Sequence, residues 1–207
     1  IKENKDYFGI GIPNQSGGYD IRNPYIKAKV GASDMTVIPG TRNEAVVFEG
    51  MTDMLSYLQM AKDNGKPNDR TLVVLNSVTN TGTFIERFKN YTGKIHLFLD
   101  GDKAGDDATQ SVLNNLKNSI DKRGNYGIGK GEINDLNDYH LKVFNYLRLC
   151  SSIAAHLGSS FSSSQIAPLC AAKSISNIVA AHCLSAWVIS VLLGLAWRER
   201  FSKVWFR

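Results

Sequence analysis

The chain predicts an α/β fold with a central, mostly parallel sheet flanked by helices, on three observations. Apolar runs at residues 44–48, 71–75 and 94–99 have the unbroken hydrophobicity of strands buried on both faces. Each is followed by apolar residues at helical spacing: Met51, Met54, Leu55 and Leu58, then Phe84, Ile85 and Phe88, then Ala104, Ala108, Val112, Leu113, Leu116 and Ile120. Strand and helix alternate three times, which predicts parallel strands joined by right-handed crossovers. Each run also ends in a polar residue: Glu49, Asn76 or Asp100. In a parallel sheet those three ends lie on one edge, where ligands bind.

Ahead of this unit, residues 7–30 read as short strands. An apolar run over 7–12 meets the loop chemistry of Pro13 to Gly18, and Tyr19 to Arg22 alternates. Arg22, Lys27 and Lys29 make the piece basic, and a solvated sheet face is the ordinary reading of such charges. Residues 31–43 read as a connector, punctuated by Gly31, Pro39 and Gly40. After Phe48, Glu49-Gly50 turns the chain into a helix that Thr52 or Asp53 is placed to cap. Residues 63–68 break that helix. Lys122 to Lys130 is a basic, glycine-containing connector, and Glu132 to Tyr139 closes the unit with a second acidic cluster, Asp135 among its acids.

The third run leads into Asp100-Gly101-Asp102-Lys103-Ala104-Gly105. Two carboxylates one residue apart at a strand end are hard oxygen ligands of the kind that hold Mg²⁺ beside substrate phosphates. A lone Asp-Gly-Asp is more often a turn that caps a helix; Glu49 on the same edge favours metal. Asp106 and Asp107 suit a first helical turn. His96 reads as a core or edge histidine. Arg42, Lys62, Lys66, Arg70 and Lys103 read as solvated surface. No Ser/His/Asp or Cys/His constellation has local support.

The formal net charge is +5, of which +4 lies beyond residue 150, where Lys173, Arg198, Arg200, Lys203 and Arg207 face only Glu199. The acidic-edge unit is therefore nearly neutral, and overall basicity is no argument for a polyanion partner. Cys150, Cys170 and Cys183 lack zinc spacing, and the absence of earlier cysteines fits a reducing cytoplasm. The chain opens at Ile1 without an initiator Met or a secretory signal, as a piece of a longer cytoplasmic protein would.

Glu49-Gly50-x-x-Asp53, followed about fifty positions later by Asp100-Gly101-Asp102-x-Ala104-Gly105, resembles the TOPRIM domain of the bacterial DNA primase type. Asp135-Leu136-Asn137-Asp138-Tyr139 is similar to the acidic segment that follows that module. Ser16 to Pro24 and Leu75 to Val78 look like primase-like proteins of Bacteroides-type mobile elements. The resemblance covers roughly residues 7–141. It implies a Rossmann-like fold and Mg²⁺, with Mn²⁺ as a substitute. Glu49 would be the acid/base or metal-organising carboxylate, Asp100 and Asp102 metal ligands, and Asp135 a further ligand. The implied reaction is synthesis of short RNA primers from nucleoside triphosphates on single-stranded DNA, with a replicative helicase as partner. Phosphodiester cleavage of nuclease or topoisomerase type, and a catalytically incomplete nucleic-acid-binding module, are the alternatives. The zinc ribbon usual in such primases has no counterpart in this chain.

The expected domains are 1–43, the end of an upstream β-rich primase subdomain; 44–141, the TOPRIM unit; and 142–207, an atypical tail. The tail is rich in Ser, Ala, Cys and Trp. Residues 174–197 carry no Asp, Glu, Lys or Arg, which is long enough to span a membrane. The preferred reading is a frameshifted or non-native segment rather than a membrane anchor.

Overall fold

The computed structural model describes residues 8–157. The chain divides into two compact units, residues 1–140 and 141–207. Of the second, only the continuation of one helix, to Leu157, is described. The expectations for the serine-rich tail, its tryptophans, Cys170, Cys183 and the 174–197 stretch lie outside the described residues. No described helix is long and apolar enough to cross a membrane.

The first unit opens with an antiparallel meander of β1 (Ile10–Pro13), β2 (Tyr19–Arg22) and β3 (Lys27–Val30). A second sheet follows, built from β4 (Thr36–Ile38), β5 (Arg42–Phe48), β6 (Arg70–Val74), β7 (Lys94–Phe98) and β8 (Ser119–Asp121). Its order is β4-β6-β5-β7-β8. β5 runs parallel to β6 and β7, and β7 to β8; only β4 is antiparallel. The helices are α1 (Met51–Asp63), α2 (Thr81–Phe88), α3 (Lys103–Asn115) and α4 (Leu136–Leu157).

Successive residues of a strand point to opposite faces, and both faces are covered. Ala45, Val47, Val73, Leu75, Ile95 and Leu97 pack with Phe84 and Phe88 of α2 and Ala108 and Val112 of α3. Val46, Phe48, Leu72, Val74 and Phe98 pack with Met54 of α1, Ile128 and Leu136. The unbroken apolar runs therefore fill two cores at once. The meander is tied to this body through Ile12, which packs on the second core, and through Ser16, whose hydroxyl donates to Asp34 at 2.7 Å.

Three expectations need correction. Residues 31–43 are not all connector: β4 lies within them, and β5 begins at Arg42. Three alternating residues between Asp34 and Pro39 are too short to show a period, and pairing with β6 makes the strand. Ile120 belongs to β8, not to the helical stripe. α3 stops at Asn115, and Leu116 is already extended. The amide of Asn118 donates to the Tyr91 carbonyl at 2.8 Å, drawing the chain back to the sheet. Arg70 is no solvated surface charge: it bonds Glu44 at 2.6 Å and the Tyr57 hydroxyl at 2.8 Å. His96, half-buried in β7, stands 3.4 Å from the same Glu44.

Candidate metal centre

β5 and β7 are parallel neighbours with Phe48 opposite Phe98, so the residues that follow each strand emerge side by side. Glu49 follows β5 directly, and Asp100 follows β7 after the buried Leu99. Burial, then the charge of Asp102, raises the pKa of Glu49; the Asp100 backbone N–H and Lys27 partly offset this. Glu49 Oε2 is buried and has no hydrogen-bond partner. Asp100 is pushed up to about 8, by burial first and then by Glu49, Asp53, Asp135 and Asp102. That ordering places Asp100 at the electrostatic centre of the group. Asp135 is also raised, by burial and by Asp138.

Asp53 was expected to cap α1, and it does not. Gly50 occupies the cap position without a side-chain bond. Asp53 sits one turn inside, 3% exposed, and its carboxylate accepts from the Asn137 backbone N–H at 3.1 Å. Burial and the charge of Asp135 push its pKa up to about 7. It belongs to the acidic group. Asp53 lies three residues beyond Gly50, on the face of α1 that carries Met54 and Ser56 inward.

Asp102 serves both readings. Its Oδ1 caps α3 by accepting from the Gly105 N–H at 2.8 Å, which leaves the other oxygen uncommitted. Asp135 does the same for α4, accepting from the Asp138 N–H at 2.7 Å. Three helices, α1, α3 and α4, thus begin at this edge. The partial positive charge of a helix start favours nearby anions, which helps the fold to tolerate the crowding. Asn76 ends its strand on the same edge but turns to β4. Its amide donates to the Asp34 carbonyl at 2.9 Å and the Thr36 hydroxyl at 3.1 Å.

The glycines of the Asp-Gly-Asp turn have steric causes. A Cβ on Gly105 would lie 2.1 Å from the Asp100 carbonyl oxygen, and one on Gly101 would lie 2.3 Å from the Gly129 nitrogen. Gly101 also donates its N–H to the Asn134 carbonyl at 2.6 Å, docking the segment that delivers Asp135. Arg123, which the sequence did not single out, donates to the Asp100 carbonyl at 3.0 Å and pairs with Asp106 at 2.6 Å.

Among the described residues, no three His, Cys, Asp or Glu side chains already converge as a closed ligand set. The chemistry of the donors nevertheless fits a hard divalent cation. They are all carboxylate oxygens, they are mutually repelled, and one buried oxygen has no partner. Glu49, Asp53, Asp100, Asp102 and Asp135 are the residues that would hold it.

Residues 46–140 match a family model described as Toprim-like, and residues 1–31 match a domain of unknown function (DUF8464). No curated protein matches the chain. Among solved structures, the primase fragment of the bacteriophage T7 primase-helicase protein is 20% identical with a TM-score of 0.46. That match covers 64% of this chain and 56% of the fragment, so the chain spans little more than half of its length. A bacteriophage T7 lagging-strand DNA polymerase structure, with primase domains bound to an RNA/DNA hybrid and dTTP, is 20% identical with a TM-score of 0.47, covering 66% of this chain and 71% of that one. All five carboxylates lie within residues 46–140, the stretch that is similar to the Toprim-like family.

Proposed function

We propose that the chain is the metal-binding part of a DNA primase-like nucleotidyltransferase, joining ribonucleotides into short primers on single-stranded DNA. What supports this reading is that Glu49 and Asp100 follow neighbouring parallel strands, that Asp53, Asp102 and Asp135 lie at the starts of α1, α3 and α4, and that Glu49 Oε2 is buried and unpartnered. In this reading Asp100 and Asp102 are the principal ligands, Asp135 and Asp53 complete the charge, and Glu49 acts as acid/base or organises the metal. Bound Mg²⁺ would neutralise the triphosphate and favour ionisation of the attacking hydroxyl. The residues do the rest. Asp102 and Asp135 hold two helix starts in register with the site. Asp53 and Asp100 give up their protons as the site fills. Arg123 fixes the backbone from which Asp100 projects. Nucleoside triphosphates, a single-stranded template and a replicative helicase are the partners of this reading, and the cytoplasm its compartment.

The test is calorimetric titration of the full chain with Mg²⁺ and Mn²⁺, beside an Asp100→Asn/Asp102→Asn double variant. Saturable binding by the parent and none by a folded double variant supports the centre. Primer synthesis on single-stranded DNA then reads the activity. Equal titration of both proteins would reduce the aspartates to helix caps.

A further inference from the structure

The meander β1-β2-β3 carries two features that the carboxylate centre does not use. Tyr25 is 90% exposed and Phe8 is 87% exposed, the two most exposed large apolar side chains among the described residues. They stand at the same end of the sheet, because the side-chain amide of Asn23, beside Tyr25 in the β2–β3 turn, donates to the Phe8 carbonyl at 2.8 Å. The Asn23 side-chain oxygen accepts from the Tyr25 and Ile26 N–H groups at 2.8 and 2.6 Å. The Asn23 N–H donates to the Ile26 carbonyl at 3.0 Å. Pro24 restricts the turn further. Four hydrogen bonds thus fix the backbone under two rings that bury almost nothing.

The same end is basic. Ile10, Arg22 and Lys27 are directly opposite one another across the three strands, so they share a face, and Lys29 follows Lys27 on it. Arg22 pairs with Asp20 at 3.0 Å; Lys27 has no such partner among the described residues, and its charge acts on Glu49. Exposed rings on a rigid turn beside unpaired basic groups are the elements of a stacking platform for unpaired bases, whose phosphates the lysines neutralise. The core of a protein–protein interface is depleted of lysine, whereas this end interleaves rings with Lys27 and Lys29.

We propose that Phe8 and Tyr25, held by Asn23 and flanked by Lys27, form a stacking site for single-stranded DNA. The choice of DNA over RNA rests on the primase reading above; the stacking itself does not.

The experiment is an anisotropy titration of labelled oligo(dT) with the full chain, in EDTA so that no metal contributes. The variants are Phe8→Ala, Tyr25→Ala, Tyr25→Phe and Lys27→Gln, with melting curves confirming that these exposed positions leave the fold intact. Each alanine variant is expected to weaken binding on the order of tenfold. Tyr25→Phe should bind like the parent, and Lys27→Gln should lower the salt dependence by about one phosphate contact. Duplex DNA and oligo(U) should bind more weakly than oligo(dT). Unchanged affinity in Tyr25→Ala, a Phe variant as weak as the Ala variant, equal loss on duplex, or no binding by the parent overturns the platform. Tighter binding of oligo(U) overturns the assignment to DNA. If the parent and the Asp100/Asp102 double variant titrate alike with metal while Tyr25→Ala still loses oligo(dT), the metal centre fails and the platform stands. The reverse pattern removes the platform alone.

Discussion

Asn137 donates its backbone N–H to the Asp53 carboxylate at 3.1 Å, across 84 positions of sequence. Its side-chain oxygen also accepts from the Ser56 hydroxyl at 3.0 Å. The start of α4 is thereby clamped to α1, which keeps Asp135 within the field of Asp53. A carboxylate buried beside another is destabilising while nothing is bound to it. Asp53→Asn keeps an acceptor for Asn137 and removes the charge. We expect this variant to stabilise the metal-free protein by about 1–2 kcal/mol and to weaken Mg²⁺ binding. Thermal melts in EDTA, paired with a titration, read both effects. A variant that is less stable and binds normally would make Asp53 purely structural.

The pH dependence has an unusual sign. Asp53 and Asp100 titrate near 7 and 8 in the fold, against about 4 when unfolded. A raised folded pKa contributes stability that is complete below the unfolded value and is lost as pH rises through the folded one. His96, lowered by burial, works the other way and loses stability as pH falls below about 6.5. Between about pH 6.5 and 8.5 the carboxylates decide, so the metal-free melting temperature should fall across that window. Mg²⁺ should restore it most at the alkaline end. A melting temperature that rises over the same window contradicts the crowded-carboxylate picture.

Glycine positions separate steric need from helix propensity. Gly105→Ala places a methyl 2.1 Å from the Asp100 carbonyl, and overpacking of this kind costs about 1–3 kcal/mol. Gly82 lies exposed in α2, and a methyl group there would meet nothing within 4 Å, so Gly82→Ala should stabilise by about 0.5–1 kcal/mol. Denaturant melts of the two variants are expected to move in opposite directions.

A control for the site lies at the opposite end of the sheet. Arg70→Ala strips the half-buried Glu44 of its 2.6 Å partner and the Tyr57 hydroxyl of its donor. Loss of about 1–3 kcal/mol is expected, with Mg²⁺ affinity unchanged. A change in affinity would mean that this network, near the amino ends of the strands, communicates with the carboxylate edge.

Much of this arrangement was legible in the amino-acid sequence. Runs such as Ala45 to Phe48 state their burial on both faces directly, and strand–helix alternation then puts Glu49 and Asp100 at the same edge of the sheet. Elements made by long-range pairing were silent. β4 and β8 have three residues each, too few for a period, and exist because β6 and β7 offer them edges. Asp53 was misassigned for a related reason. Its local position near a helix start matches a cap, and only the return of Asn137 from far along the chain reveals it as buried. Arg70 likewise looks like any surface arginine until β5 brings Glu44 beside it.

Asp102 and Asp135 each cap a helix start through one carboxylate oxygen while adding charge to the acidic edge. Asparagine at either position would preserve the cap, since it ranks with aspartate there, yet would remove the charge. Glutamate would keep the charge on a longer arm that fits the cap poorly. Only aspartate meets both demands. A descendant of this fold with no use for the negative charge would therefore betray itself at these two codons, drifting to asparagine while its scaffold stayed intact.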